Sequence, residues 1–204
     1  MYRIVAVCTG NICRSPAMEV LLARMLDSSV TVSSAGTHGL PSWPVHPPMA
    51  RLLREKIGEA DSQMVAFRSR RLTEAMVGEA DLILTATASH RADVLALDPL
   101  ALKRTMTLGE FARIAAALNN SAGVSHRFGE RTADGDAAQP SEMTDAERLQ
   151  VLVPAVLAAR HQFTDAKPSG DDIVDPYGLD DGVYADSLRQ VSTHIDRLAG
   201  ALGR

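Results

Sequence analysis

The 204-residue chain is 46% hydrophobic and 23% charged, an ordinary globular balance with length enough for a sizeable core in one domain. A formal net charge of −4 excludes a general attraction for nucleic acid, so any affinity for anions must be local. Two cysteines exclude a disulfide scaffold and suit a reducing compartment, and the most apolar stretch, Leu149 to Ala159, contains Pro154 and is too short to cross a bilayer.

The apolar run Ile4–Val7 reads as a buried strand that starts the chain, leaves no room for a signal peptide and so implies a cytoplasmic location. A loop follows through Cys8-Thr9-Gly10-Asn11-Ile12-Cys13-Arg14, and Ser15-Pro16 reads as an N-cap with proline at the first helical position. Met18, Leu21, Leu22 and Met25 recur at helical spacing, so that helix buries one face. The β-branched Val30–Ser33 is a second strand, followed by a Pro-rich loop holding Leu40, Trp43 and Pro44. Met49, Leu52 and Leu53 outline a helix, and Thr73–Gly78 a shorter one. Asp81–Thr85 and Arg104–Leu108 read as two further strands, with a helix around Ser89–Leu97 between them. This alternation predicts an α/β fold, a doubly wound parallel sheet with helices on both faces. Ligands of such sheets sit at the carboxyl ends of the strands, where the loop after strand one lies.

Beyond the sheet, Phe111, Ile114, Ala115 and Leu118 make an apolar stripe on a helix starting near Gly109. Residues 119–143 carry no periodicity and read as a mobile surface excursion leaving the sheet on the pocket side. Thr144-Asp145-Ala146-Glu147 is a capping box opening a helix with Leu149, Leu152, Val153 and Val156 on one face, kinked at Pro154. A polar linker over 164–172 precedes Asp175-Pro176-Tyr177-Gly178. A last helix carries Tyr184, Leu188, Val191, Ile195, Leu198 and Leu202. The expected organisation is one domain over 1–204 with an insertion at about 119–171.

The chemistry centres on the loop after strand one. Five residues separate Cys8 from Arg14, and a loop of that length closed by a helix start turns successive amides into one concavity suited to a tetrahedral oxyanion. Those amides and the helix dipole favour a thiolate at Cys8, and the Arg14 fork can hold two oxygens of a phosphoryl group. Gly10 permits close backbone approach, and Asn11 tolerates a left-handed conformation. The Ser15 hydroxyl has an alternative use as a donor to the Cys8 sulfur. Taken singly, Cys8 and Cys13 are equally small buried hydrophobes. A zinc site is disfavoured, since there is no Cys-x-x-Cys and no nearby His.

Cys8-Thr9-Gly10-Asn11-Ile12-Cys13-Arg14-Ser15-Pro16 resembles the signature loop of the low-molecular-weight protein tyrosine phosphatases, and Asp175-Pro176-Tyr177 resembles their late acid loop. The resemblance covers roughly residues 1–110 and 172–204. It implies strand order 2-1-3-4, a Cys8 nucleophile forming a phosphocysteine, an Arg14 clamp and an Asp175 general acid. It further implies a phosphate cradle from Thr9, Gly10, Asn11, Ile12, Cys13 and Ser15, a phosphotyrosine ring held between Trp43 and Tyr177, and no metal or cofactor. The expected partner is a phosphotyrosine protein, with no nucleic acid and no membrane. A reversible Cys8–Cys13 disulfide is a further implication.

Some positions depart from the family. Phe67 stands where members often carry a His that supports the loop Asn, leaving Asn11 to Ser15 and Ser34, and Thr87 replaces a frequent Asp after the third strand. Two related activities compete. Arsenate reduction with a low-molecular-weight thiol needs only one cysteine, whereas a thioredoxin-linked version needs downstream cysteines that the chain lacks. Protein-arginine phosphatases share the loop but tend to carry Thr at the position of Ile12, so Ile12 argues for tyrosine.

Overall fold

The computed structural model describes residues 1–58, 66–120, 143–163 and 170–204. Four parallel strands, β1 (Tyr2–Cys8), β2 (Val30–Gly36), β3 (Leu82–Thr85) and β4 (Thr105–Thr107), form one sheet in the order β2-β1-β3-β4. β1 is central, pairing Val7 with Ala35 on one side and with Thr85 on the other. It is buried except at Arg3, as a strand covered on both faces must be. Its side chains alternate between two cores. Tyr2, Ile4, Ala6 and Cys8 enter the larger one, and Val5 and Val7 the smaller.

The larger core is covered by α1 (Arg14–Met25), α2 (Pro47–Ile57), α5 (Leu108–Asn120), α6 (Asp145–Ala159) and α7 (Asp181–Ala201). The smaller is covered by α3 (Glu74–Glu79), α4 (Ala88–Leu97) and a 3-10 turn at Pro99–Arg104. The doubly wound architecture and the strand order are those expected.

One local expectation changes. α1 starts at Arg14, with Cys13 at the N-cap and no side-chain cap, so Ser15 is not the cap and Pro16 falls on the third helical residue. Pro is tolerated there because first-turn amides lack intrahelical partners. Glu147 and Thr144 do form the expected reciprocal capping box. The helix that they open packs its apolar face into the core, where Leu149, Leu152, Val153 and Val156 are buried. Its first turn is tied to the α1–β2 connection, where Asp145 accepts from the Asp27 amide at 2.7 Å and Asp27 from the Asp145 amide at 2.9 Å. Arg204 grips the buried Asp145 carboxylate with two further bonds at 3.0 and 2.7 Å. Most of the excursion expected over 119–143, residues 121–142, and most of the 164–172 linker lie outside the described residues.

Candidate active site

The loop between β1 and α1 is shaped by where its carbonyls go. Those of Cys8, Thr9, Gly10 and Ile12 accept from the amides of Thr37, His38, Leu40 and His46, all on the connection after β2. A trans peptide places its N–H opposite its C=O, so the amides paired with those carbonyls face the other way, into the cleft. Asn11 adopts φ 56°, the left-handed conformation expected of it. Gly36 makes room: a Cβ there would stand 2.4 Å from the Thr9 carbonyl oxygen and 2.9 Å from the Asn11 nitrogen.

Beneath the loop, Asn11 is fully buried and held from three sides. Its amide nitrogen donates to Ser15 Oγ at 2.9 Å and Ser34 Oγ at 2.7 Å, and its oxygen accepts from the Arg70 amide at 2.8 Å. Ser34 in turn donates to Glu19 at 2.5 Å, a carboxyl whose pKa is raised by burial. Ser15 and Ser34 thus support Asn11, with the Arg70 backbone as an added partner, while Phe67 is buried in the core. Ser15 Oγ lies 3.0 Å from Cys8 Sγ, the alternative use of its hydroxyl.

A cleft of about 220 Å³ lies above, with Cys8, Thr9, Gly10, Ile12, Cys13 and Arg14 lining its base, and His38, Leu40, Asp175 and Tyr177 also lining it. Arg14 is 4% exposed. Its Nη2 donates to Asp175 Oδ2 at 2.6 Å and to Thr9 Oγ1 at 3.3 Å, while its Nε is buried with no partner. A buried guanidinium N–H without an acceptor is costly and fits an oxyanion that would complete the fork. Burial pushes the Cys13 thiol up to about 12, with the neighbouring Cys8 and Asp175 adding to the shift.

The acid loop is anchored just before Asp175. The Ile173 amide donates to the Ala86 carbonyl at 2.9 Å, and Val174 is bonded to Gln190 and Ser187 of α7. Tyr177 packs edge-on against His46 with ring centroids 5.3 Å apart, and His46 stacks on Tyr184 at 5.5 Å. Tyr177 lines the cleft, and Trp43, 52% exposed on the Pro-rich loop, is not among its lining residues, which include Leu40 and His38. Asn11 and Ser15 also lie below the cleft, not in its lining.

His90 passed unnoticed in the sequence, though it is buried and bonded to Thr9 at 2.8 Å. Thr87, its partner, caps α4. Among the described residues no cluster of His, Cys, Asp or Glu could hold a metal ion, and no helix is long and apolar enough to cross a membrane.

Fold and loop together define a doubly wound sheet with an anion cradle at the carboxyl end of its central strand. Comparison with known proteins narrows this class. The family described as low molecular weight phosphotyrosine protein phosphatase matches residues 3–125, and the chain belongs to it. It is 38% identical over 108 residues to the low molecular weight protein-tyrosine-phosphatase Etp of Escherichia coli K12, covering 53% of this chain and 70% of that protein. It is 34% identical over 110 residues to a protein-arginine-phosphatase of Geobacillus stearothermophilus, covering 54% and 71%. The solved structure of the YwlE arginine phosphatase from Geobacillus stearothermophilus superposes with a TM-score of 0.64 at 26% identity, covering 100% of this chain and 94% of that one.

Proposed function

We propose that this protein phosphatase acts on phosphotyrosine through a phosphocysteine intermediate, in a cytoplasmic setting that keeps its thiols reduced. The observation that carries the reading is the convergence of Cys8, the unpartnered Arg14 Nε and Asp175 on one cleft. Cys8 thiolate attacks phosphorus in line, with Ser15 donating to the sulfur. Loop amides and Arg14 carry the charge of the equatorial oxygens. Asp175 protonates the leaving phenolic oxygen and then takes a proton from the water that releases phosphate. The Asp175–Arg14 bond gives way when the phosphoryl group arrives, because both anions need the same fork. Cys13, held as a thiol by its burial, is the resolving partner if peroxide oxidises Cys8.

Cys8→Ser should abolish hydrolysis of p-nitrophenyl phosphate while leaving vanadate binding intact. Undiminished turnover by that variant would overturn the mechanism.

The arginine-phosphatase relatives supply a second reading, and Ile12 separates the two. Its side chain lines the cleft and offers only methyl and methylene groups. These suit the face of a phenyl ring, with Tyr177 and Leu40 as further walls, and leave a guanidinium without acceptors. One unsatisfied polar group costs about 1–3 kcal/mol, enough for roughly ten- to hundredfold discrimination. Matched peptides should show higher kcat/KM for phosphotyrosine than for phosphoarginine, with Ile12→Thr shifting the ratio toward arginine. Equal values for the wild type would favour the second reading and leave the Cys8 mechanism standing.

A further inference from the structure

His90 lies behind the cleft wall, outside its lining, with its ring locked at both nitrogens. Nδ1 is 2.8 Å from Thr87 Oγ1, and Nε2 is 2.8 Å from Thr9 Oγ1, eighty-one residues away in sequence. The turn that carries it is fixed in its own right. Thr87 caps α4 by accepting from the His90 backbone N–H, and the Asp172 carboxylate accepts from the Ala88 amide at 2.8 Å. The contact with Thr9 is therefore made by a preset ring and not by a free rotor.

Counting donors and acceptors leaves two tautomers, each with one threonine oxygen that accepts two N–H groups and one spare hydroxyl proton. Thr87 Oγ1 already accepts one N–H, from the His90 backbone. If its hydroxyl proton goes to Nδ1, the histidine carries its proton on Nε2 and gives it to Thr9 Oγ1. Thr9 Oγ1 then accepts twice, from His90 Nε2 and from Arg14 Nη2 at 3.3 Å. Both lone pairs are taken, so its own proton must point away from both donors, and Thr9 lines the cleft. The opposite tautomer draws the Thr9 proton back to Nε2 and leaves the spare proton on Thr87, outside the cleft lining, so only the first offers that proton to an anion in the cleft.

We propose that His90 is a positioning residue, whose Nε2–H holds Thr9 so that the Thr9 hydroxyl faces the bound phosphoryl group as a side-chain donor of the oxyanion loop. The inference rests on the phosphatase reading above. It adds to the loop amides and Arg14 one side-chain donor, held in place by a histidine that sequence alone does not single out. Its effect falls on the developing charge of the transition state, so it belongs mainly in kcat.

The test compares full-length wild type with Thr9→Val, Thr9→Ser, His90→Leu, His90→Gln and the Thr9→Val/His90→Leu double variant. The readouts are kcat and KM on p-nitrophenyl phosphate, Ki for vanadate, and Tm. Thr9→Val and His90→Leu should each lose roughly ten- to hundredfold in kcat, with vanadate Ki rising and KM little changed, as for one hydrogen bond to a charged oxygen. Thr9→Ser keeps the hydroxyl and His90→Gln keeps an N–H that can reach it, so each should recover most of the kcat that its apolar counterpart loses. The double variant should be no worse than Thr9→Val alone, since His90 acts only through that hydroxyl. A His90→Leu loss that persists undiminished in the Thr9→Val background would overturn the proposal and make His90 a packing residue. If His90→Leu does not fold, equal kcat for Thr9→Val and Thr9→Ser would overturn it. A wild type without aryl phosphatase activity would instead remove the reading on which it rests.

Discussion

The oxyanion loop and the acid loop meet over one cleft but are built in opposite ways. The first is braced from beneath: Asn11 has partners on three sides, and four loop carbonyls are held by the connection after β2. The second projects outward, with the Asp175 side chain 51% exposed and Tyr177 55% exposed. Its carboxylate contact with the first loop, Asp175 to Arg14, uses the guanidinium that a phosphoryl group would claim. The difference follows from the tasks proposed for them. Donors that stabilise developing charge work best when they need no rearrangement during the reaction. An acid that serves the leaving group and then the incoming water must change partners within one cycle.

The comparison breaks most sharply at Asp175. Asp175→Asn should lower turnover of poor leaving groups by roughly two to four orders of magnitude, with a smaller loss for leaving groups that need no proton. It also removes a negative charge from Arg14, so inorganic phosphate should bind more tightly than to the wild type. An equal loss on good and poor leaving groups, measured as kcat across a series of aryl phosphates, would show that the aspartate shapes the loop instead.

On the other side, Asn11→Ala should act through geometry. It would leave Ser34, Ser15 and the Arg70 amide without their shared partner and place an alanine at φ 56°, a conformation costing roughly 1–2 kcal/mol for a residue with a plain Cβ. About ten- to hundredfold of kcat should go, with a similar weakening of vanadate binding and a lower Tm. A Tm loss with unchanged kcat would show that the cradle keeps its shape without this network.

Local features were legible. The strand–loop–helix at Cys8, the left-handed Asn11 and the Thr144 capping box are each set by residues a few positions apart. Long-range features were not. Nothing near Trp43 says which way an indole in a Pro-rich loop points, and the structure leaves it exposed while Leu40 lines the cleft. The stripe Leu149, Leu152, Val153 and Val156 was readable as a helix face, but its burial depends on Asp145 meeting Asp27 and Arg204. His90 was invisible for the same reason, since its informative contact is with Thr9, eighty-one residues earlier and beyond the end of the neighbouring strand. The Ser15 cap was a plausible local pattern overridden by tertiary use of its hydroxyl at Cys8.

The smallest expected effect concerns acid stability, and it separates His90 from the loops it stands between. Burial is the main force pushing its pKa down from 6.5 to about 4, and the Arg14 charge adds to it. Asp93 on its own helix and Asp172 and Asp175 on the acid loop oppose the shift without cancelling it. The unfolded chain therefore takes up this proton before the folded one does. The resulting stability is fully present above about pH 6.5 and declines as the pH falls toward 4. His194, also buried and shifted downward, acts in the same direction, so the wild-type profile contains both. His90→Gln removes one contribution and keeps the polar contact, so its Tm should fall less than that of the wild type between pH 6.5 and 4. Activity near neutrality should differ little, because His90 is uncharged there in either case. Parallel Tm profiles for the two proteins across that window would mean that His90 is as easily protonated in the fold as outside it, and that the ring is not desolvated behind the oxyanion loop.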